Sequence, residues 1–433
     1  MRLSVPSVAA ARDGIERVAW WLATPLGLMT LYGVAFLVRL VMAPYAGFGV
    51  DVANPKHWAV RLADVGPRRF YAPGVFADYP PAYLYFLWPI GEITRALDPV
   101  GFPSHLFIKL PAMLADLGLA WVASELAVRI TPRALARRVP VRPLVAAAVL
   151  FNPAVLAVGA LWGQVDVVPA FFLVWSMLLL FTREQTLRRE VAGIALLALA
   201  FAIKPQTAMA LPAFAPAFWW RHLRGRWHDW ARLRAGALRL AILGTVAFAV
   251  WAAPGIPFGL GPVGLVRQLR SSGSVYPVTS AWAFNLWGVL GFWRNDSVGD
   301  AVLEVFGVPA LYVGVVLVLS ALGVVLVAAH RALRRGTGEA LVVVATASVT
   351  SGLAFALLTR MHERYLFTTL AVMAPLVMWR TWRRAFAVLS ALFVVNLYFP
   401  YVYYRDSLHA EQFRIGWVYD LLYGGDSGAA WQK

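Results

Sequence analysis

The chain has 433 residues, of which 60% are hydrophobic and 14% charged, with 19 Trp, a formal net charge of +17 and no Cys. A water-soluble domain carries nearer ~25% charged residues, so a soluble fold is excluded; the missing Cys excludes disulfides, thiolate metal sites and cysteine nucleophiles. In so apolar a chain the positive excess marks loops beside anionic lipid, and no nucleic-acid partner is expected.

Apolar blocks recur from end to end, each near the roughly 20 residues that cross a bilayer core and without the alternation of a transmembrane barrel. The expected fold class is therefore an all-α polytopic membrane protein with about eleven transmembrane helices. They lie at about 18–43, 104–130, 143–161, 165–182, 187–204, 206–220, 240–254, 308–329, 340–358, 366–379 and 385–404. The first is preceded by basic residues without a small-residue cleavage site, and is read as a retained span.

The segment 79–97, YPPAYLYFLWPIGEITRAL, is long enough to cross but contains Pro80, Pro81, Pro89, Glu92 and Arg95. If it does not cross, strict alternation gathers the Arg clusters on one side. These are Arg2, Arg12 and Arg17; Arg129, Arg133, Arg137, Arg138 and Arg142; Arg183, Arg188 and Arg189; the run Arg221 to Arg239; Arg331, Arg334 and Arg335; and Arg380, Arg383 and Arg384. That side is cytoplasmic by the positive-inside rule. The segment is accordingly expected as a helix or re-entrant element in the outer half of the membrane, with a cytoplasmic N-terminus and an external C-terminus. The basic, aromatic run RHLRGRWHDWARLRAGALR is then a lipid-facing loop.

Three divisions follow: 1–254 as an N-terminal membrane module whose first external loop is 44–103, an external loop at 255–307, and C-terminal helices with an external tail at 308–433. The long first loop opens on GFGVDVANPKHW, with Asp51 and His57, continues through HWAVRLADVG, patterned as an amphipathic surface helix, and reaches Asp78 before a Pro pair.

Charged residues at membrane depth are expensive and usually face a cavity or one another. On the expected external side they recur: Asp116 in KLPAMLADLGLA, Gln164 and Asp166 in LWGQVDVVP, Lys204 and Gln206 in FAIKPQTAM, and Arg360, His362, Glu363 and Arg364 in LTRMHERYLF. Acids beside a cationic cluster can do glycosyl transfer, because a carboxylate takes the proton of an attacking hydroxyl while Lys and Arg neutralise a phosphate leaving group. Nucleotide sugars stay in the cytosol, so an outer site would draw its sugar from a lipid phosphate in the bilayer. HERY lacks the second ligand of HExxH, the seven His are dispersed, and no metal centre, Walker loop or GxSxG elbow is expected.

Taken in order, FADYPPAYLYFLW, KLPAMLADLG, LFNPAVL, WGQVD, AIKPQ, AWAFNLWGVLG and RMHERYLF resemble the GT-C superfamily of membrane glycosyltransferases, in the branch of bacterial proteins similar to GPI mannosyltransferases. The resemblance runs from about residue 40 to 370. It implies a polyprenyl-phosphate-linked or diphosphate-linked sugar donor, mannose as the sugar, inversion at the anomeric centre, and a lipid, glycan or protein acceptor at the extracytoplasmic face. On it, Asp51 is the catalytic base, with Asp78 or Asp116 as alternatives. Lys204, Gln206, His362, Glu363 and Arg364 are expected to contact the donor phosphate or sugar, and His57, Asp78, Asp116, Gln164 and Asp166 to orient the acceptor or the sugar. Asp51 stands alone, followed by Val52 and Ala53, where many members have a paired acidic motif, so no cofactor or metal is expected. The rival readings are a flippase or transporter for lipid-linked sugars and a glycan ligase or polymerase using a diphosphate donor.

Overall fold

A computed structural model describes residues 8–182, 185–225, 228–299 and 301–403. Arg2, Arg183, Arg226 and the tail from residue 404 lie outside the described residues. The chain is all-α in character, with only two-residue strands among the described residues. Six described helices are long and apolar enough to cross a membrane: Pro25–Met42, His105–Ile130, Trp230–Phe258, Ala310–Arg334, Glu339–Leu357 and Arg380–Pro400. The bent pair Val141–Leu150 and Pro153–Trp162, kinked by 48°, would make a seventh.

The count of eleven is thus not reproduced, because hydropathy records apolarity and not helical continuity. Proline accounts for much of the difference. Pro205 forces Lys204 into extended backbone (φ −152°, ψ 114°), which ends the 17-residue helix Leu187–Ile203 and starts a 3₁₀ stretch, Pro205–Ala213. The next α-helix, Phe214–His222, has 9 residues. The expected span at 366–379 is likewise Phe367–Met373 followed by a 3₁₀ turn containing Pro375.

The first loop folds into two packed helices, Gly49–Val65 and Pro81–Leu97. Their buried faces carry Trp58, Ala59 and Leu62 on one and Tyr83, Leu84, Leu87 and Gly91 on the other, spaced three or four residues apart as one helical face requires. Gly91 is needed at the crossing, since a Cβ there would stand 1.9 Å from the Ala59 carbonyl oxygen. At the far end the Arg95 guanidinium grips both oxygens of Asp64, at 2.7 and 2.9 Å.

Two buried ionic clusters fasten the bundle. Arg39, from Pro25–Met42, donates to Asp116 at 2.8 Å and to the carbonyls of Ala35 and Leu150, with both charged side chains fully buried. Fully buried Glu190 pairs with Arg221 (3.3 Å) and Arg239, and Arg221 also meets Glu339. Arg221 and Arg239 therefore turn inward and are not lipid-facing as the basic run implied.

The 255–307 loop is built against the RMHERY segment. Its strand Ser280–Ala281 pairs in parallel with Met361–His362. Fully buried Asp296 accepts from Thr359 Oγ1 and from two nitrogens of Arg360, at 2.8 to 3.0 Å. Asn285 Nδ2 donates to the carbonyls of Phe355 and Leu358, and Trp287 Nε1 to that of Leu357. These last carbonyls of helix Glu339–Leu357 have no partner within the helix, so the AWAFNLW motif caps the helix from which the RMHERY turn departs.

Candidate active site

Asp51 sits in the first turn of Gly49–Val65, and its position is set by the WGQVD turn. Trp162 Nε1 donates to Asp51 Oδ2 at 2.7 Å, the Phe48 amide donates to the Trp162 carbonyl at 3.0 Å, and the two rings stack at 4.6 Å. Gly163 follows in the left-handed region (φ 88°), where a Cβ would press on Val52 at 2.8 Å. With one oxygen held by the indole, Asp51 presents the other, Oδ1, 3.7 Å from Arg364 Nη2.

Two cavities meet at this carboxylate. One, of about 450 Å3, is lined by Asp51, Asp78, Lys204, Gln206, His362 and Arg364, with apolar walls from Phe76, Phe201, Met209 and Leu269. The second, of about 430 Å3, shares Asp51, Tyr276, His362 and Arg364 and adds Phe48, Trp282, Trp293 and Glu363. Trp282 and Trp293 both lie in left-handed backbone, at φ 63° and 58°, as does Arg360 at 60°. Such strain in non-glycine residues persists where the surrounding structure holds it, and clusters at functional sites.

Arg364 is the hub of the cationic side. Its Nη1 donates to Glu363 Oε1 at 2.7 Å and lies 3.3 Å from His362 Nδ1, while its Nε has no hydrogen-bond partner among the described residues. Buried Lys204 donates to Asp166 Oδ2 at 2.9 Å and Gln164 Oε1 at 3.4 Å, and lies 5.4 and 5.6 Å from the rings of Tyr79 and Tyr365. Buried Gln206 Oε1 is left without a partner among the described residues. Burial, then the charges of Arg364 and Lys204, push the His362 imidazole well below its ordinary range, so the ring is neutral in a site already rich in cations.

The structure therefore gathers Asp51, Asp78, Lys204, Gln206, His362, Glu363 and Arg364 around the joined cavities. Gln164 and Asp166 stand behind Lys204 and hold it. Asp116 and His57 line neither cavity. Asp116 is committed to Arg39, and His57 is exposed, its Nδ1 2.8 Å from the Ala53 carbonyl and its ring against Phe102. Their expected roles are thus corrected to a structural pair and a surface residue. Asp116→Ala leaves Arg39 buried without a counter-charge, a loss of about 3–5 kcal/mol. The melting midpoint in detergent should fall steeply while the molecules that remain folded keep their turnover.

Asp78 reaches the first cavity without an ion-pair partner within 4 Å among the described residues. Burial raises its pKa, and the charges of Arg364 and Lys204 only partly offset this. The folded chain thus holds the proton more tightly than the unfolded chain, so stability declines as pH climbs above the ordinary carboxylate range. Asp78→Asn should flatten that part of the melting-midpoint profile and raise the midpoint at neutral pH.

Sequence reasoning missed Trp162, Asp296, Asn285, Trp282 and Trp293. An interior Asp and three polar or aromatic residues within one loop were visible, but Asp296, Asn285 and Trp282 have partners 63 to 114 residues away. Among the described residues no three His, Asp or Glu side chains converge to hold a metal ion.

No family model matches the chain. The dolichyl pyrophosphate Glc1Man9GlcNAc2 alpha-1,3-glucosyltransferase of Arabidopsis thaliana is 25% identical over 245 residues, which cover 53% of this chain and 45% of that protein. The chain thus spans less than half the length of this curated relative. Among solved structures, ArnT from Cupriavidus metallidurans bound to undecaprenyl phosphate aligns with 82% of this chain and 60% of its own, at 14% identity and a TM-score of 0.44. Over about half its length, then, this all-α membrane chain is similar to a curated glucosyltransferase, and the GT-C glycosyltransferase resemblance carried by its motifs stands.

Proposed function

We propose that the chain is an inverting glycosyltransferase that moves a hexose from a polyprenyl-phosphate-linked donor to an acceptor hydroxyl at the extracytoplasmic face. The single observation carrying this reading is that two cavities join at Asp51, one of them combining Lys204 and Arg364 with an apolar wall. The cations receive the lipid phosphate, and Phe201, Met209 and Leu269 accompany the chain that bears it. The acceptor enters from the aromatic side.

Asp51 takes the proton of the acceptor hydroxyl as its oxygen attacks the anomeric carbon. The bond from that carbon to the phosphate oxygen breaks, and the lipid phosphate leaves with the electron pair. Its developing charge faces Arg364 and Lys204, fixed before the reaction begins by Glu363 and by Asp166 with Gln164. A single displacement of this kind inverts the anomeric centre. The Arg clusters, which fall on one side when the eleven spans expected from the sequence alternate, support the external placement.

Mannose is the sugar implied by the motifs, whereas the curated relative is named a glucosyltransferase. The test supplies the purified chain in detergent, with no gradient, with labelled polyprenyl-phosphate mannose, polyprenyl-phosphate glucose and polyprenyl-diphosphate sugars. Release of lipid phosphate from one monophosphate donor, with the label moved to acceptor or slowly to water, is expected. Preference for a diphosphate donor would favour a ligase or polymerase, and no conversion of any donor would return the transporter reading.

A further inference from the structure

Lys109 lies one turn into helix His105–Ile130 and is fully buried, yet no carboxylate stands within 4 Å of it among the described residues. An ammonium in such a place is costly unless its donors are used. Its Nζ donates to two backbone carbonyls from distant parts of the chain: Tyr45, just before the first-loop helix, at 2.7 Å, and Leu161, at the end of the π-helical stretch Ala157–Trp162, at 2.9 Å.

Those two segments build the Asp51 environment. Tyr45 and Gly47 lead into Phe48, whose amide binds the Trp162 carbonyl; Leu161 precedes Trp162, whose indole binds Asp51. The fit is close on every side. A Cβ at Gly47 would stand 2.5 Å from the Trp162 oxygen, and one at Gly163 3.2 Å from Lys109 Cε. Carbonyls at a helix end have no intrahelical donor, and one ammonium with three protons can satisfy both strands at once.

We infer that Lys109 is a positioning residue for the reaction: by tying the Tyr45 and Leu161 carbonyls together it fixes the Trp162 to Asp51 hydrogen bond, and so the direction in which the carboxylate meets the acceptor hydroxyl. The inference rests on the reading of Asp51 as the base only for its kinetic consequence; the tie itself is independent of it.

The experiment has two arms, run on the full chain in detergent. In the first, hydrogen exchange by mass spectrometry compares wild type with Lys109→Met and with Lys109→Gln, which keeps one donor group should the Met variant fail to fold. Faster exchange confined to about residues 45–52 and 158–164, with Leu187–Ile203 unchanged, is expected. Unchanged exchange in those segments would overturn the tie. In the second arm, turnover and its pH profile are measured for the Lys109 variant, Trp162→Phe and the double variant. Each single change should lower kcat about 100-fold or less with KM nearly constant and displace the acid limb of the profile in the same direction. The double variant should be no worse than the poorer single one, because both act through one hydrogen bond. Additive losses, or a Lys109 variant whose pH profile stays put, would overturn the proposed route to Asp51. If Asp51→Asn were to keep wild-type turnover while the exchange result held, the failure would belong to the catalytic reading and not to the tie.

Discussion

Asp51→Asn is expected to lower turnover by about 10² to 10⁴-fold, the contribution of a positioned general base, with donor binding nearly unchanged. The substitution is mild in every other respect. The Asn side-chain oxygen can still accept from Trp162 Nε1, which at 2.7 Å is the contact that orients the group. Volume is conserved, and Arg364 retains its bond to Glu363. Kinetics with a labelled lipid-phosphate sugar and a direct donor-binding titration check this together. A fall in binding with unchanged turnover of bound donor would assign Asp51 to substrate capture instead.

The second large effect is at Arg364. Removing a group aimed at developing charge in a water-poor site costs on the order of 10² to 10³-fold in kcat, and Arg364→Gln should lose at least that, because Glu363 and Asp51 are left facing each other with less cation between them. Arg364→Lys keeps the charge but not the planar fork that spans Glu363, His362 and the cavity. Its activity should fall between wild type and the Gln variant. The comparison is cleaner than one at Lys204, whose loss would strand buried Asp166 and lower stability.

The membrane fold was legible because apolar composition alone demands it. The continuity of the spans was only partly so: the break at Pro205 falls between the expected spans 187–204 and 206–220, whereas the 3₁₀ stretch Pro205–Ala213 and the turn at Pro375, set among apolar residues, shorten helices that hydropathy reads as whole. At the site, Lys204, Gln206, His362, Glu363, Arg364, Asp51 and Asp78 could be grouped from their shared depth in the sequence. Depth does not give direction, however. Asp116 lies in the same apparent layer as Asp51, but the turn of its helix aims it at Arg39, 77 residues earlier. The signal was available, because two opposite charges in apolar segments are expected to pair. No comparable cue existed for Trp162 or Lys109. Trp162 reaches Asp51 from 111 residues away, and Lys109 acts through two backbone carbonyls, which leave no mark on residue identity. The loop at 255–307 was read as a separator, whereas Asp296, Asn285 and Trp287 make it the support of the RMHERY turn.

The account places a lipid phosphate between Lys204 and Arg364 with Asp51 at the rim beside the sugar. The most direct measurement is an experimental map of the full chain with polyprenyl phosphate bound. Phosphate density within hydrogen-bond reach of Arg364 or Lys204, in the cavity that opens past Phe201 and Met209, is the predicted result. Phosphate bound away from both cations, or on the side of the molecule where Glu190 gathers Arg221 and Arg239, would contradict it.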